Sequence, residues 1–265
     1  RGLGDVYKRQ VQEPGTLEVS DVSFAYPGGE KIYEDFNLSA TPGQIIGVTG
    51  AVACGKSTLG KTFLCEYPYE GRICFHGKEL SGMTKAEQNG MVGYLGHDPE
   101  LFNDSVRNNI LLGDDDDPEK YLKAVCFDGE VAEMEEGMDT IVGNGGVRLS
   151  GGQAQRLALA RTLCHKRPVL ILDDPFSALD RKTEEEVFAN LRKLAADSIV
   201  ILLSHRLYLF PEMDQVLWME AGKVTAGTHE QILEKFPEYA RLYEAQADGA
   251  DAHNTQEGGP DHAEK

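Results

Sequence analysis

Ile45-Ile46-Gly47-Val48 runs through Thr49 into Gly50-Ala51-Val52-Ala53-Cys54-Gly55-Lys56-Ser57, and the reading of this stretch decides the fold. A short apolar run enters a loop bounded by glycines and leaves it as a helical stretch near Lys56 to Cys65. The spacing G-x-x-x-x-G-K-S in a strand–loop–helix context is that of a phosphate loop. Its glycines let successive backbone N–H groups turn inward, and the following helix adds its positive end, so the loop can hold the β-phosphate of a nucleotide. Lys56 is placed for the β- and γ-phosphates and Ser57 for Mg²⁺ through its hydroxyl, with Thr58 next on the same turn. Cys54 reads as a small residue tolerated at a variable loop position.

Composition narrows what surrounds this loop. With 265 residues and 41% apolar content, the chain is long enough for one large domain with a real core. Its longest apolar runs, such as Val169–Leu172 and Ile199–Leu203, are strand-sized and far short of a membrane span. Five scattered cysteines with no C-x-x-C pair suit a reducing compartment and argue against a disulfide framework or a zinc site. The 26 Lys+Arg against 44 Asp+Glu, a formal charge of −18, leave no basic stripe for nucleic acid. Residues 1–10, RGLGDVYKRQ, show no periodicity leading into the next strand and resemble a translated sequencing-adapter artefact, so the domain is expected to begin at residue 11.

From Leu17 to Ala40 the pattern predicts an antiparallel β layer: strand at Leu17–Val19 and Val22–Tyr26, a turn at Pro27-Gly28-Gly29, and a returning strand from Ile32 to Ala40. Between about 99 and 166, helical segments dominate at Val106–Leu112, Glu119–Phe127, Val131–Glu136 and Gly152–Cys164. These predict a helical subdomain inserted into an α/β core. The acidic run Asp114–Asp117 before Pro118 reads as a helix start, with Asp as N-cap and Pro at the first helical position. After Arg167 the βα alternation resumes: Val169–Leu172, Lys182–Ala195, Ile199–Leu203 and Gln215–Glu220, then helices at His229–Lys235 and Glu238–Ala247. Residues 248–265 are nearly devoid of apolar side chains and predict a disordered acidic tail.

Two further motifs carry chemistry. Val169-Leu170-Ile171-Leu172-Asp173-Asp174 delivers two carboxylates at the end of an apolar strand, where open α/β sheets place their ligands. Asp173 is positioned to orient Mg²⁺ through water, and Asp174 to face an attacking water. Leu149-Ser150-Gly151-Gly152-Gln153 opens a helix with Ser150 as N-cap and two glycines that bare the backbone N–H groups, a second anion site far along the chain from the first.

Those five residues match the signature motif of ATP-binding cassette (ABC) proteins, and the chain resembles the nucleotide-binding domain of an ABC transporter over roughly residues 16–246. The resemblance implies a P-loop NTPase (RecA-like) α/β core with an antiparallel β subdomain and the inserted helical subdomain, binding ATP and Mg²⁺. It implies that Tyr26 stacks on adenine, that Ser177-Ala178-Leu179-Asp180 touches a second such domain, and that His205 contacts the γ-phosphate. Ser150, Gly151, Gly152 and Gln153 then close over the nucleotide on the partner's phosphate loop. Gly222-Lys223-Val224, Gly227-Thr228-His229-Glu230 and Tyr239–Tyr243 resemble the end of exporters whose membrane helices precede this domain, at the cytoplasmic face of the membrane.

Three positions depart from the family pattern. Asp174 stands where a glutamate is expected, one methylene longer. His97, in Gly96-His97-Asp98-Pro99, stands where a glutamine should sense magnesium and the attacking water. Thr140–Gly146 lies where exporters usually present a glutamate-bearing segment to their membrane helices. The first two predict MgATP binding with slow hydrolysis at this chain's own phosphate loop, as in one half of a heterodimeric exporter; the retained His205 runs against that. Two other readings compete: a soluble cassette ATPase acting on ribosomes or DNA, against which stand the acidic charge and the lack of a second cassette, and a regulatory module that holds ATP without cleaving it.

Overall fold

The computed structural model describes residues 15–254 except 52 and 144. The expected lead at 1–10, the phosphate-loop residue Val52 and positions 255–265 lie outside the described residues.

The first strand, β1 (Leu17–Ala25), turns back into β2 (Lys31–Ala40) with an antiparallel register of Leu17 opposite Ala40. What the sequence divided into two strands is one, irregular at Asp21, where φ is 52°. β3 (Ile45–Gly50) leads through the glycine loop into α1 (Lys56–Thr62). The helix stops three residues earlier than expected, because Cys65 adopts φ 51° and turns the chain away. β4 (Glu70–Phe75) and β5 (Lys78–Glu79) follow, then α2 (Lys85–Met91), held by a Thr84/Glu87 capping box, and β6 (Val92–Leu95).

The helical region opens at β7 (Asp104–Ser105) and contains α3 (Val106–Leu111), α4 (Pro118–Ala124), α5 (Asp128–Ala132) and β8 (Ile141–Val142), which pairs with β7. Asp117 caps α4 by accepting the Glu119 N–H at 3.0 Å, with Pro118 at the first position. α5 sits earlier than Val131–Glu136, since Asp128 and Glu130 favour the first turn and Gly137, at φ 53°, closes the segment. The long α6 (Gly151–Cys164) returns the chain to β9 (Val169–Asp173), α7 (Arg181–Leu194) and β10 (Ile199–Leu203). β11 (Gln215–Glu220), β12 (Lys223–Gly227), α8 (His229–Lys235) and α9 (Pro237–Asn254) complete it. The last helix runs further than the expected Glu238–Ala247: α9 continues to Asn254.

The strands join in the order β5-β4-β1-β2-β12-β11-β3-β10-β9-β6. From β11 to β6 all neighbours are parallel, whereas β5, β4, β1 and β2 pair antiparallel. Both faces of the parallel part are covered. Leu170, Leu172, Val200, Leu202 and Trp218 belong to one buried cluster with the helices α3, α4, α6 and α7, while Val169, Ile171, Ile201, Leu203 and Val48 belong to a second with Leu59 of α1 and the β layer. Alternation between two buried faces explains why these strands read as unbroken apolar runs. Among the described residues, no helix is long and apolar enough to cross a membrane.

Candidate functional site

Because β3, β10, β9 and β6 are parallel neighbours, the residues following each strand emerge along one edge. Val48 and Asp173 both pair with Leu203, and Leu95 pairs with Leu172. The phosphate loop, Asp173-Asp174, Ser204-His205 and Gly96-His97 are therefore brought together by topology, at the carboxyl edge where α/β sheets bind ligands.

Within the loop, Ala53 (φ 63°) and Gly55 (φ 99°) occupy left-handed backbone. Gly55 has a second constraint: a Cβ there would lie 2.5 Å from Ile32 Cγ2. Lys56 is buried, and its Nζ donates to the carbonyls of Gly50 at 3.3 Å and Ala51 at 3.2 Å, with Cys54 Sγ at 3.8 Å. Those partners are neutral. Ser57 is exposed at the helix start. Tyr26 is 38% exposed, its hydroxyl 3.4 Å from Thr58 Oγ1 and its ring edge-on to Phe24 and Tyr67. This ties the aromatic expected to hold adenine to the residue after Ser57. Tyr67 escaped the sequence reading; nothing in its spacing pairs it with Tyr26.

The two carboxylates differ. Asp173 is buried at the strand end and accepts a hydrogen bond from Tyr94 Oη at 3.2 Å. Asp174 has left the strand with φ 51°, a conformation Asp tolerates better than most residues, and donates its N–H to Leu203 O at 2.8 Å. Burial pushes the Asp174 carboxyl above its ordinary range, opposed by His205, His97 and Arg206. His205 is lowered by partial burial and then by the charge of Lys56, with Asp174 and Asp173 opposing. The neutral imidazole is accordingly favoured at physiological pH. These mutual influences place Lys56, Asp173, Asp174, His205 and the exposed His97 in one electrostatic neighbourhood.

Mg²⁺ typically takes one or two protein groups together with phosphate oxygens and water. The exposed Ser57 hydroxyl and the Asp173 carboxylate fit that need; among the described residues no three His, Cys, Asp or Glu side chains form a metal-holding group.

The second candidate anion site stands on different neighbours. α1 rests on β3, β9 and β10, whereas α6 rests on α3, α4 and β6. Ser150 Oγ accepts the Gln153 N–H at 3.2 Å and Gln153 Oε1 accepts the Ser150 N–H at 2.9 Å, a complete capping box. Gln153 Nε2 and Arg156 both donate to Glu130, which despite its partial burial is held below the usual carboxylate range by those hydrogen bonds. A Cβ on Gly152 would sit 3.0 Å from Ala178 Cβ, so the start of α6 abuts the loop Ser177–Asp180, while a Cβ on Gly151 would meet nothing within 4 Å. Asp180 in that loop caps α7 through the Thr183 N–H at 3.0 Å.

Sequence reasoning missed the residues that brace His205. Arg206 donates to the carbonyls of Leu179 and Ser177 at 2.7 and 2.8 Å and to the fully buried Glu184, which also accepts from Tyr208. On the other side, Gln246 of α9 bonds the backbone on either side of Arg206. Adjacency to His205 was a signal for Arg206. Gln246 lies 41 residues away and gave none.

A phosphate loop at the carboxyl edge of a parallel sheet, with an aspartate ending a strand one place removed across β10, defines a P-loop NTPase. A family model described as "ABC transporter" matches residues 33–177, more than half of the chain, and the chain belongs to that family. It is an ATP-binding domain, of a class of domains that are ATPases. Among curated relatives, it is 35% identical over 89% of its length to the probable multidrug resistance ABC transporter ATP-binding/permease protein YheI of Bacillus subtilis. It is 38% identical over 86% to the ATP-dependent lipid A-core flippase of Pseudomonas syringae pv. tomato. The chain spans only 42% and 40% of those relatives' lengths. Among solved structures it resembles a bacterial Atm1-family ABC exporter with ATP bound, with TM-score 0.81 and 30% identity over 88% of this chain and 42% of that one.

The expected stacking of adenine on Tyr26 gives a prediction. Tyr26→Ala is expected to weaken ATP by roughly 1–3 kcal/mol, on the scale of base–aromatic stacking, while Tyr26→Trp largely preserves binding. Fluorescence titration of both variants decides it, and wild-type affinity in both assigns the base to another residue.

Proposed function

We propose that this chain is the motor of an ABC exporter: residues 11–247 form the ATP-binding domain, 99–166 its helical subdomain, and transmembrane helices of the same or a partner polypeptide are what it moves. The observation that carries this reading is the split between two phosphate sites. The loop at Lys56 and the glycine-opened start of α6 stand on different neighbours, and Gly151 faces open space. A second domain docking head to tail brings its own Gly151 over the phosphates held at Lys56. ATP supplies the closing contact, and its hydrolysis lets the domains part. Export is favoured because the named relatives and the matching structure are a multidrug resistance protein, a lipid flippase and an exporter. The domain then works at the cytoplasmic face of the membrane.

In this reading Lys56 binds the β- and γ-phosphates, Tyr26 holds adenine, Ser57 and Asp173 hold Mg²⁺ with His97 beside it, and His205 contacts the γ-phosphate. Mg²⁺ supplies charge neutralisation at the phosphates. Asp174 stands where an attacking water is polarised, but its side chain is a methylene shorter than the glutamate of the family pattern. A base must come within about 2.6–3.2 Å of that water, so a shortened reach lowers turnover more than binding. The groove of about 510 Å³ lined by Met134, Thr140, Ile141 and Val147, with Ile141 and Val147 exposed, is the docking surface for the membrane helices.

Sedimentation tests the closure. With its partner domain present, the chain is expected to associate in MgATP and to separate in MgADP; a mass unaffected by either nucleotide overturns the head-to-tail reading.

A further inference from the structure

We propose that Gln246 is a positioning residue for His205: the C-terminal helix clasps the histidine's backbone and so fixes where its imidazole meets the nucleotide. The inference rests on the reading of His205 as the γ-phosphate contact and adds to it a residue from the last helix of the chain.

The clasp is a two-point contact. Gln246 Nε2 donates to the His205 carbonyl at 2.8 Å, and Gln246 Oε1 accepts the Leu207 N–H at 2.7 Å. One planar amide thus satisfies backbone groups on both sides of Arg206, which fixes the orientation of the segment as well as its distance. The helix that presents it is anchored. Tyr239, seven residues earlier and so on the same face, is fully buried, with its hydroxyl 2.7 Å from His229 Nδ1 and its ring edge-on to Trp218 and Phe210. Leu242 and Tyr243 pack on the same core.

His205 keeps an exposed side chain, and Lys56, Asp174, Asp173 and His97 all act on its charge. An exposed ring takes its place from the backbone that carries it. Arg206 pins that backbone from the sheet side through Ser177, Leu179 and Glu184, and Gln246 pins it from the helix side. Without the glutamine the His205 and Leu207 peptide groups turn to water, and the imidazole loses its fixed approach to the γ-phosphate. Contacts to the β-phosphate and to adenine, made by the phosphate loop and Tyr26, are untouched.

The expected signature is therefore a loss of preference for ATP over ADP. In the full chain, Gln246→Ala is expected to lower the ratio of MgATP to MgADP affinity roughly three- to tenfold, as for a lost hydrogen bond or two, with MgADP affinity unchanged. Gln246→Glu keeps the helix and the acceptor for Leu207 but loses the donor to His205, and should show the same loss. His205→Ala should lower the ratio at least as far, and adding Gln246→Ala to it should cost nothing more. The Leu207 amide should exchange faster with solvent in Gln246→Ala. A wild-type ratio in both Gln246 variants, with His205→Ala impaired, overturns the positioning role and leaves the γ-phosphate reading standing. An equal fall in MgATP and MgADP affinity overturns it too, by showing a general structural role. A wild-type ratio in His205→Ala overturns the γ-phosphate contact, and the inference with it.

Discussion

Replacing Lys56 by alanine should weaken MgATP binding roughly ten- to hundredfold. The lysine carries the one full positive charge of the phosphate loop, and its present partners, the carbonyls of Gly50 and Ala51, are neutral acceptors that an anion outcompetes. A hydrogen bond to a charged group contributes about 1.5–3 kcal/mol, which converts to that range of affinity. The fold should tolerate the change, since the Ala51 carbonyl keeps the Cys54 N–H as a donor at 3.2 Å and the loop's left-handed residues do not depend on the side chain. Fluorescence titration alongside thermal unfolding separates the two effects. Wild-type affinity in a folded variant removes the loop from the nucleotide site.

What the sequence disclosed follows from range. The N-cap at Ser150 and the start of α4 at Asp117-Pro118 are local devices in which neighbouring residues satisfy one another, and the structure forms both as read. Strands buried on both faces announced themselves as apolar runs. β4 did not, because of its six residues only Ile73 and Phe75 face inward, too few for a period to show. Its place beside β1 is decided by pairing across nearly sixty residues, Leu17 against Phe75, which no local pattern records. The brace around His205 is hidden for the same reason: Glu184 of α7, Arg206 after β10 and Gln246 of α9 are far apart in the chain and gather around one backbone segment only when the sheet and both helices are assembled.

The largest effect is expected where the chain serves another site rather than its own. In a complex with a partner subunit that carries a glutamate after its magnesium aspartate, Gly151→Asp should abolish most ATP turnover, while Asp174→Ala should leave it within about twofold. The signature Ser150–Gln153 is intact and fully capped, so it can complete the partner's site; the altered residues, Asp174 and His97, gather around this chain's own phosphate loop. An aspartate at 151 meets nothing in its own chain, and at the first turn of α6 a negative charge suits the helix, so folding is spared. Against a γ-phosphate on the opposing loop the same charge is repelled by about 4 kcal/mol at 4 Å in a partly shielded site, roughly a thousandfold in rate. Asp174, one methylene shorter than the glutamate of the family pattern, is expected to have less to lose. Steady-state ATPase activity of the reconstituted pair carrying each substitution gives the answer. A loss at Asp174→Ala as deep as that at Gly151→Asp would assign hydrolysis to the phosphate loop of this chain and remove the asymmetry, in keeping with the retained His205 at that same loop.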